Sequence, residues 1–150
     1  MQAVDPHFAA RVAASFARQA AMRTLGATLE SVLPGHVVLG MLHRDELTQQ
    51  HGFVHAGMLA AALDSACGYA AFSLMPADAA VLTIEFKINL LAPARGPRFR
   101  FEGRVTKPGR TISVVDGRAT QFELHGGEEK LVATMTATVM TVAGRDDIHH

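Results

Sequence analysis

The chain has 150 residues, in which 14 lysines and arginines balance 14 aspartates and glutamates, and it has one cysteine. This length predicts a single domain over 1–150, large enough to build a core without disulfides or a structural metal. Zero net charge removes the general attraction to nucleic acid or to an anionic membrane, so we expect neither partner. One cysteine favours a reducing, cytoplasmic location.

The first predicted element is an amphipathic helix over about 6–23. Asp5 and Pro6 are typical of an N-cap and a first helical position, and apolar residues recur every four positions after them. Arg11 lies off this apolar stripe, so we expect it on the outer surface. A core over about 25–142 follows. It opens with two apolar runs at 28–33 and 37–43, and the Pro34-Gly35 turn between them predicts a hairpin.

The segment from 56 to 74 is rich in alanine and has almost no polar face, which is typical of a buried helix. Pro76 ends it. Alternating segments then predict strands near 82–90, 97–106, 111–124 and 130–142 in meander order, with a bulge around Asp116 and Gly117. No stretch is apolar enough to predict a membrane span. The predicted fold is α+β, an antiparallel sheet curled around a central helix with an extra N-terminal helix.

One residue of the predicted buried helix is charged. Asp64 is the only formally ionised side chain between Glu46 and Asp78. Burial of an unpaired carboxylate is costly and raises its pKa, so Asp64 is a candidate functional residue. The alternative is that Asp64 faces water at a subunit boundary or caps a neighbouring loop.

The start of the same helix is a second candidate. Gly57 lies at the helix N-terminus, where unpaired backbone N–H groups favour an oxyanion. Asp64 follows seven residues later, about 10 Å along the axis at ~1.5 Å per residue. One chain cannot bring both groups to a single carbonyl. This spacing predicts a two-fold homodimer in which Asp64 of one subunit faces Gly57 of the other.

Two other signals are set aside. His51 and His55 are four residues apart, but Gly52 separates them and no third ligand is close in sequence, so we expect no bound metal. Cys67 reads as an apolar filler of the buried helix. His149 and His150 at the end of the sequence are given no role.

The motif around these residues resembles that of the hotdog-fold acyl-CoA thioesterases of the phenylacetate-degradation, or PaaI-like, type. The matching segments are Gln49-Gln50-His51-Gly52-Phe53-Val54-His55-Ala56-Gly57, Leu63-Asp64, Thr83-Ile84-Glu85-Phe86-Lys87-Ile88-Asn89 and Pro93-Ala94. In that family a His-Gly-Gly sequence opens the helix and an aspartate follows nine residues after the histidine, the spacing from His55 to Asp64. Ala56 here replaces the first glycine of the pair.

The resemblance implies a role for each matching residue. Asp64 would be general base or nucleophile towards the thioester, and the Gly57 N–H of the partner subunit would polarise its carbonyl. His55 would orient the loop and assist the reaction at the thioester. Gln49 stands where the family often has an asparagine, and Thr83 where it has a serine or threonine near the attacking water. No cofactor is implied beyond the coenzyme A of the substrate.

The same resemblance suggests how the substrate would bind. The family's Gly-Lys/Arg-Thr turn matches Gly109-Arg110-Thr111, which makes Arg110 the first candidate and Arg95 the second for the phosphates of coenzyme A. Phe53 and Val54 are candidates for contact with the acyl group. The predicted activity is hydrolysis of an acyl-CoA by a homodimer or a dimer of dimers. The alternatives are a hydratase or dehydratase, whose residue pattern we do not find, and a non-catalytic acyl-CoA-binding or sensing protein.

Overall fold

The structure is a computed structural model that describes residues 1–145 and 147–148; His149 and His150 lie outside them. The described residues form three α-helices: α1 at Phe8–Arg18, α2 at Ala20–Leu25 and α3 at Ala56–Phe72. The single N-terminal helix predicted over 6–23 is therefore wrong in one respect. It is interrupted at Gln19, whose extended backbone (ψ 99°) ends α1 and begins α2.

The start of α1 also differs from the prediction. His7, not Asp5, is the residue at the N-cap position. The Asp5 carboxylate instead accepts the His7 amide and forms a 2.8 Å ion pair with Arg11. Arg11 is not on the outer surface either, because its guanidinium donates to the carbonyls of Phe72 and Met75 at the end of α3. Arg11 thus satisfies carbonyls that the end of a helix leaves open, and it fastens α1 to α3.

Within the part of the chain that the structure describes, six antiparallel strands form one sheet in the order β1-β2-β4-β5-β6-β3. Their bounds are β1 Thr28–Leu33, β2 His36–Leu42, β3 Ala80–Leu90, β4 Arg98–Lys107, β5 Ile112–Phe122 and β6 Lys130–Val142. The meander order is confirmed for β4 to β6 but is wrong for β3, which pairs with β6 at the sheet edge. The reason is that α3 carries the chain from β2 to the far edge of the sheet, and β4 then returns to the middle beside β2.

The sheet packs around α3, which confirms the predicted α+β architecture. The closest approach is at Gly103 of β4 and Gly117 of β5, which are paired across the strands. A Cβ on Gly103 would overlap the Ala66 carbonyl, and one on Gly117 would lie 2.9 Å from the Cys67 Sγ. The bulge expected at Asp116 and Gly117 is wrong, since the register there is regular and the Gly117 position is explained by helix packing.

The edge strand β3 leaves apolar side chains uncovered within one chain. Leu82, Ile84, Phe86 and Leu90 are 40–53% exposed. The register of β3 against β6 shifts between Thr83 and Glu85, so the strand is irregular at that point. In the described part of the chain, none of the helices has the length and apolarity that a membrane crossing requires.

Two glycine substitutions test the packing of α3. Gly103→Ala should lower the free energy of unfolding by more than about 2 kcal/mol, because its methyl group has no room beside the helix backbone. Gly68→Ala should raise it by roughly 0.5–1 kcal/mol, because nothing lies within 4 Å of the new Cβ and alanine favours a helix. Urea unfolding measures both. Equal stability of Gly103→Ala and the wild type would contradict the close approach.

Candidate active site

The segment that leads into α3 is a tight turn held by its own backbone. The Gln49 amide donates to the Phe53 carbonyl at 2.9 Å, and the Gly52 amide donates to the Gln49 carbonyl at 3.0 Å. The Gln49 side-chain oxygen accepts the His51 amide, so this oxygen supports the turn. Gly52 has a φ of +79°, a left-handed conformation that suits glycine at such a turn.

His55 is the N-cap of α3. Its Nδ1 accepts the Gly57 N–H at 2.9 Å, and its carbonyl accepts the amides of Met58 and Leu59. Among the described residues the Ala56 N–H has no acceptor. The Gly57 donor singled out from the sequence is therefore engaged by the His55 ring in this structure, and the Ala56 N–H beside it is free to bind an oxygen atom.

The turn and the start of α3 form one side of a cleft of about 520 Å³. The opposite side comes from the segment after β3, and the cleft is lined by Gln49, Gln50, Phe53, Val54, His55, Ala56, Leu59, Leu90, Leu91, Ala92, Pro93 and Ala94. Its volume lies in the range of about 300–1,000 Å³ that is typical of small-molecule sites. Four of the sequence-predicted residues, Gln49, Phe53, Val54 and His55, come together here.

Asp64 lies in a different cleft. This one has a volume of about 250 Å³ between α3 and the edge strand β3, and it is lined by Gln19, Asp64, Ser65, Gly68, Tyr69, Val81, Leu82 and Thr83. The lining of each cleft lacks the key residue of the other, so His55 and Asp64 do not share a cleft within one chain. The start of α3 and Asp64, which the helical rise predicted to be too far apart to act on one carbonyl, thus lie in separate clefts of the described chain.

The environment of Asp64 is poorly suited to a charge. Its side chain is half-buried, and among the described residues its Oδ1 is buried without a hydrogen-bond partner. Burial raises the pKa of this carboxyl, and a hydrogen bond with the Thr83 side chain opposes the rise without cancelling it. A carboxylate with a raised pKa in a cleft is the arrangement expected of a general base.

The Asp64 cleft includes two residues, Gln19 and Tyr69, that were not predicted as site residues. Gln19 reaches the cleft because the break between α1 and α2 falls at this residue, and its Oε1 accepts the Ser65 hydroxyl at 3.4 Å. Tyr69 also lines the cleft, with its hydroxyl 3.2 Å from that of Ser15. A glutamine on a long amphipathic helix gives no local signal of a helix break, so no feature of the sequence marked it.

The two candidate arginines lie at opposite ends of α3. Arg95 stacks its guanidinium over the Phe53 ring, 4.6 Å from the ring centroid, near the start of the helix. Arg110 lies in the β4–β5 turn and borders a third cleft, of about 470 Å³, together with Ala71, Leu74 and Met75 at or beyond the end of α3. The structure therefore does not bring Arg95 and Arg110 to one site within a chain.

The described residues include no group of three or more histidine, cysteine or acidic side chains placed to hold a metal ion. The His55 Nδ1 is occupied as an N-cap, and the His51 side chain is exposed. Burial raises the pKa of the Cys67 thiol above its usual range, which agrees with an apolar filler of the core.

Comparison with known proteins identifies the family. The thioesterase superfamily profile matches residues 51–127, which include the last residues of the turn, α3 and strands β3 to β5. A thioesterase family protein from Silicibacter pomeroyi is 56% identical, with a TM-score of 0.88 over 91% of this chain and 99% of that one. The chain belongs to the thioesterase superfamily, a family of hydrolases.

Two further relatives bear on the predicted resemblance. A phenylacetic acid degradation-related protein from Ralstonia eutropha is 26% identical, with a TM-score of 0.76 over 89% of this chain and 98% of that one. This confirms the PaaI-like hotdog fold. A Saccharolobus solfataricus protein whose name assigns it provisionally to the esterases is 35% identical over 82 residues. That match spans 55% of this chain and only 58% of the relative's length.

The raised pKa of Asp64 has a consequence for stability. Between the ordinary carboxyl pKa of 3.8 and the higher pKa of the folded state, the folded chain binds more protons than the unfolded chain. Stability from this residue is therefore lost as the pH rises through the folded-state pKa, and above it the charged form is a constant cost. Asp64→Asn should remove that cost.

We expect Asp64→Asn to raise the Tm at pH 7 by roughly 2–4 °C, which corresponds to about 1 kcal/mol for a chain of this size. The gain should shrink as the pH falls towards 4, because the wild-type carboxyl becomes protonated. Thermal unfolding of both proteins across this pH range measures the effect. A gain that does not depend on pH would rule out the charge as its origin.

Proposed function

We propose that the protein hydrolyses acyl-CoA thioesters to a free acid and coenzyme A. The observation that carries this proposal is Asp64, a half-buried carboxylate that lines a cleft in a thioesterase-superfamily fold and whose Oδ1 has no hydrogen-bond partner among the described residues. A silent binding protein has no need of such a charge, and an asparagine or serine at this position would be less costly to bury. The aspartate therefore favours catalysis over binding alone.

Asp64 can act either as a general base or as a nucleophile. As a general base it takes a proton from water, whose oxygen attacks the thioester carbonyl carbon; the C–S bond breaks and the thiolate takes up a proton. As a nucleophile its carboxylate attacks the same carbon and expels the thiolate, and water then cleaves the resulting anhydride. The Thr83 hydroxyl, which hydrogen-bonds Asp64, would hold the water or the carboxylate in either case.

The electrophilic half of the site would be the start of α3. The Ala56 N–H, which has no acceptor among the described residues, would donate to the thioester oxygen, and the Gly57 N–H would become available if the His55 ring turned away from it. Both donors lie at the positive end of the helix dipole, which stabilises the negative charge that develops on the oxygen. Gln49, on the wall of the same cleft, would position the leaving sulfur or a water molecule through its amide nitrogen.

A second copy of the chain would complete the site along β3. This strand is the sheet edge, and it exposes the apolar residues Leu82, Ile84, Phe86 and Leu90. An unpaired apolar edge favours association with another strand. Antiparallel pairing of two β3 strands about their midpoint, Glu85, would place Ala80 of one copy opposite Leu90 of the other. Val81, next to Ala80, lines the Asp64 cleft and Leu90 lines the His55 cleft, so this pairing would bring the two halves together.

The phosphates of coenzyme A would then be bound by arginines from the surface. Arg110 and Arg95 lie at opposite ends of α3. In a two-fold dimer with antiparallel α3 helices, the start of one helix lies beside the end of the other, so Arg95 of one copy and Arg110 of the other would serve one site. Because the chain has no net charge, such local arginines must supply the attraction for the anionic substrate. Phe53 and Val54 of the larger cleft would contact the acyl group or the pantetheine arm.

Asp64→Asn tests the chemistry. Thiol release from a panel of short, long and aromatic acyl-CoAs should show kcat lowered by at least ~10²-fold, the usual scale for loss of a general base. Asp116→Asn is the matched control, because Asp116 contacts Thr106 and Thr136 on the outer face of the sheet and does not line the Asp64 cleft. Its activity should equal that of the wild type.

Two outcomes would contradict the proposal. Equal rates for Asp64→Asn and the wild type would exclude a catalytic role for Asp64. No hydrolysis of any acyl-CoA by the wild type, with tight binding of acyl-CoA measured by calorimetry, would favour the alternative of a non-catalytic acyl-CoA-binding or sensing protein.

The shared site has its own test. Asp64→Asn and His55→Ala should each be weakly active alone. Mixed after gentle dissociation, they should recover about a quarter of wild-type activity, because half of the dimers then contain both variants and one of their two sites is intact. Coupled thiol release before and after mixing measures the recovery. Absence of recovery, with mixed dimers shown by native mass spectrometry, would place both residues of a working site in one chain.

A further inference from the structure

Gln121 near the end of β5 is a polar residue at an inward-facing position. The residues that alternate with it along the strand, Val115, Gly117 and Ala119, are buried against α3. Gln121 is 9% exposed, as buried as an apolar residue would be at that place. Burial of an amide is unfavourable unless its hydrogen bonds are made, so its partners are informative.

All of those partners lie in one segment, Pro93 to Gly96, which connects β3 to β4. The Gln121 Oε1 accepts the amides of Arg95 at 2.9 Å and Gly96 at 3.1 Å, and its Nε2 donates to the Pro93 carbonyl at 3.3 Å. One side chain thus satisfies two donors and one acceptor of this connection. No other residue type of similar size offers this combination, since methionine forms none of these bonds and glutamate lacks the donor.

The connection that Gln121 holds is also the outer wall of the larger cleft. Pro93 and Ala94 line the cleft opposite His55. The Ala94 carbonyl accepts the Val54 amide at 2.9 Å, one residue before the N-cap of α3, and the Arg95 guanidinium covers the Phe53 ring. A continuous set of contacts therefore runs from Gln121 through this connection to the residue next to His55.

We propose that Gln121 is a positioning residue for the half of the site that carries His55 and the start of α3, acting through the Pro93–Gly96 connection. The proposal rests on the proposed function for its kinetic consequence. Catalysis by oriented donors is sensitive to small displacements, and a shift of about 1 Å can cost on the order of 10²-fold in rate. Gln121 touches neither His55 nor Asp64, so its effect would be indirect.

Two variants distinguish the hydrogen bonds of the Gln121 side chain from its size. Gln121→Met keeps the shape and removes all three hydrogen bonds, and it should lower kcat/KM for acyl-CoA hydrolysis about tenfold or more. Gln121→Glu keeps the acceptor for the Arg95 and Gly96 amides, so it should retain more activity than Gln121→Met. Ser73→Ala is the matched control. Ser73 is a fully buried polar side chain that likewise holds a turn amide, that of Gly35 at 2.8 Å, and it lines neither the Asp64 nor the His55 cleft.

The control should lose stability without losing kcat/KM. The two variants are compared under conditions in which their Tm values are equal. If Ser73→Ala then lowers kcat/KM as much as Gln121→Met does, destabilisation alone explains the effect and the proposal is wrong. A double-mutant cycle then tests the route. Gln121→Met and His55→Ala should be strongly non-additive, because both act on the same half of the site, whereas Ser73→Ala and His55→Ala should add. Additive effects of Gln121→Met and His55→Ala would overturn the proposal.

Amide hydrogen exchange gives a readout that does not depend on activity. In Gln121→Met the Val54, Arg95 and Gly96 amides should exchange at least tenfold faster, while the Gly35 amide is unchanged. Unchanged protection of Val54 would overturn the positioning role. If the wild type hydrolyses no acyl-CoA, the proposed function fails, and the exchange at Val54 still decides whether Gln121 positions this segment.

Discussion

The structure depends on the burial of α3, a helix without a polar face. A helix that is apolar on every side must be covered on every side, and here five strands, together with α2 and a cap from Arg11 of α1, cover it. The two glycines that face each other at Gly103 and Gly117 let the backbone of the sheet reach the backbone of the helix. The curvature of the sheet and the order of its strands follow from this single requirement.

The same requirement divides the candidate site. Backbone N–H groups are available only at the start of α3, and the carboxylate of Asp64 lies two helical turns further along. Because the sheet and α1–α2 cover the rest of the helix, Asp64 can open only towards the edge strand β3. The distance between the two halves is thus set by helix geometry and cannot be closed by movement of a side chain.

Local sequence patterns predicted most of the fold. The start of α3 at Ala56, the hairpin and the six strands follow from periodicity and turn residues, which depend on neighbours in sequence. Long-range contacts decide the rest. The order of β3, the helix break at Gln19 and the capping role of Arg11 depend on residues more than forty positions away, such as Ser65 and Met75.

The candidate site shows the same limit. Asp64, His55 and Thr83 could be singled out because a charge in an apolar helix, a helix start and a family motif are visible in one chain. Gln121 could have been noticed as a polar residue in an inward-facing row, but its partners come from a connection 25–28 residues earlier, which no local pattern reveals. What a buried polar side chain does is decided by the groups that the fold brings to it.

Two unfavourable features of the chain meet at one place. The edge strand β3 presents exposed apolar side chains, and the cleft directly behind it holds a carboxylate whose buried Oδ1 has no hydrogen-bond partner among the described residues. Each feature alone lowers stability or solubility. Association along β3 would remove the first cost and increase the second, since covering the cleft desolvates Asp64 further and raises its pKa again. A second copy would therefore stabilise the edge and make Asp64 a stronger base in the same step.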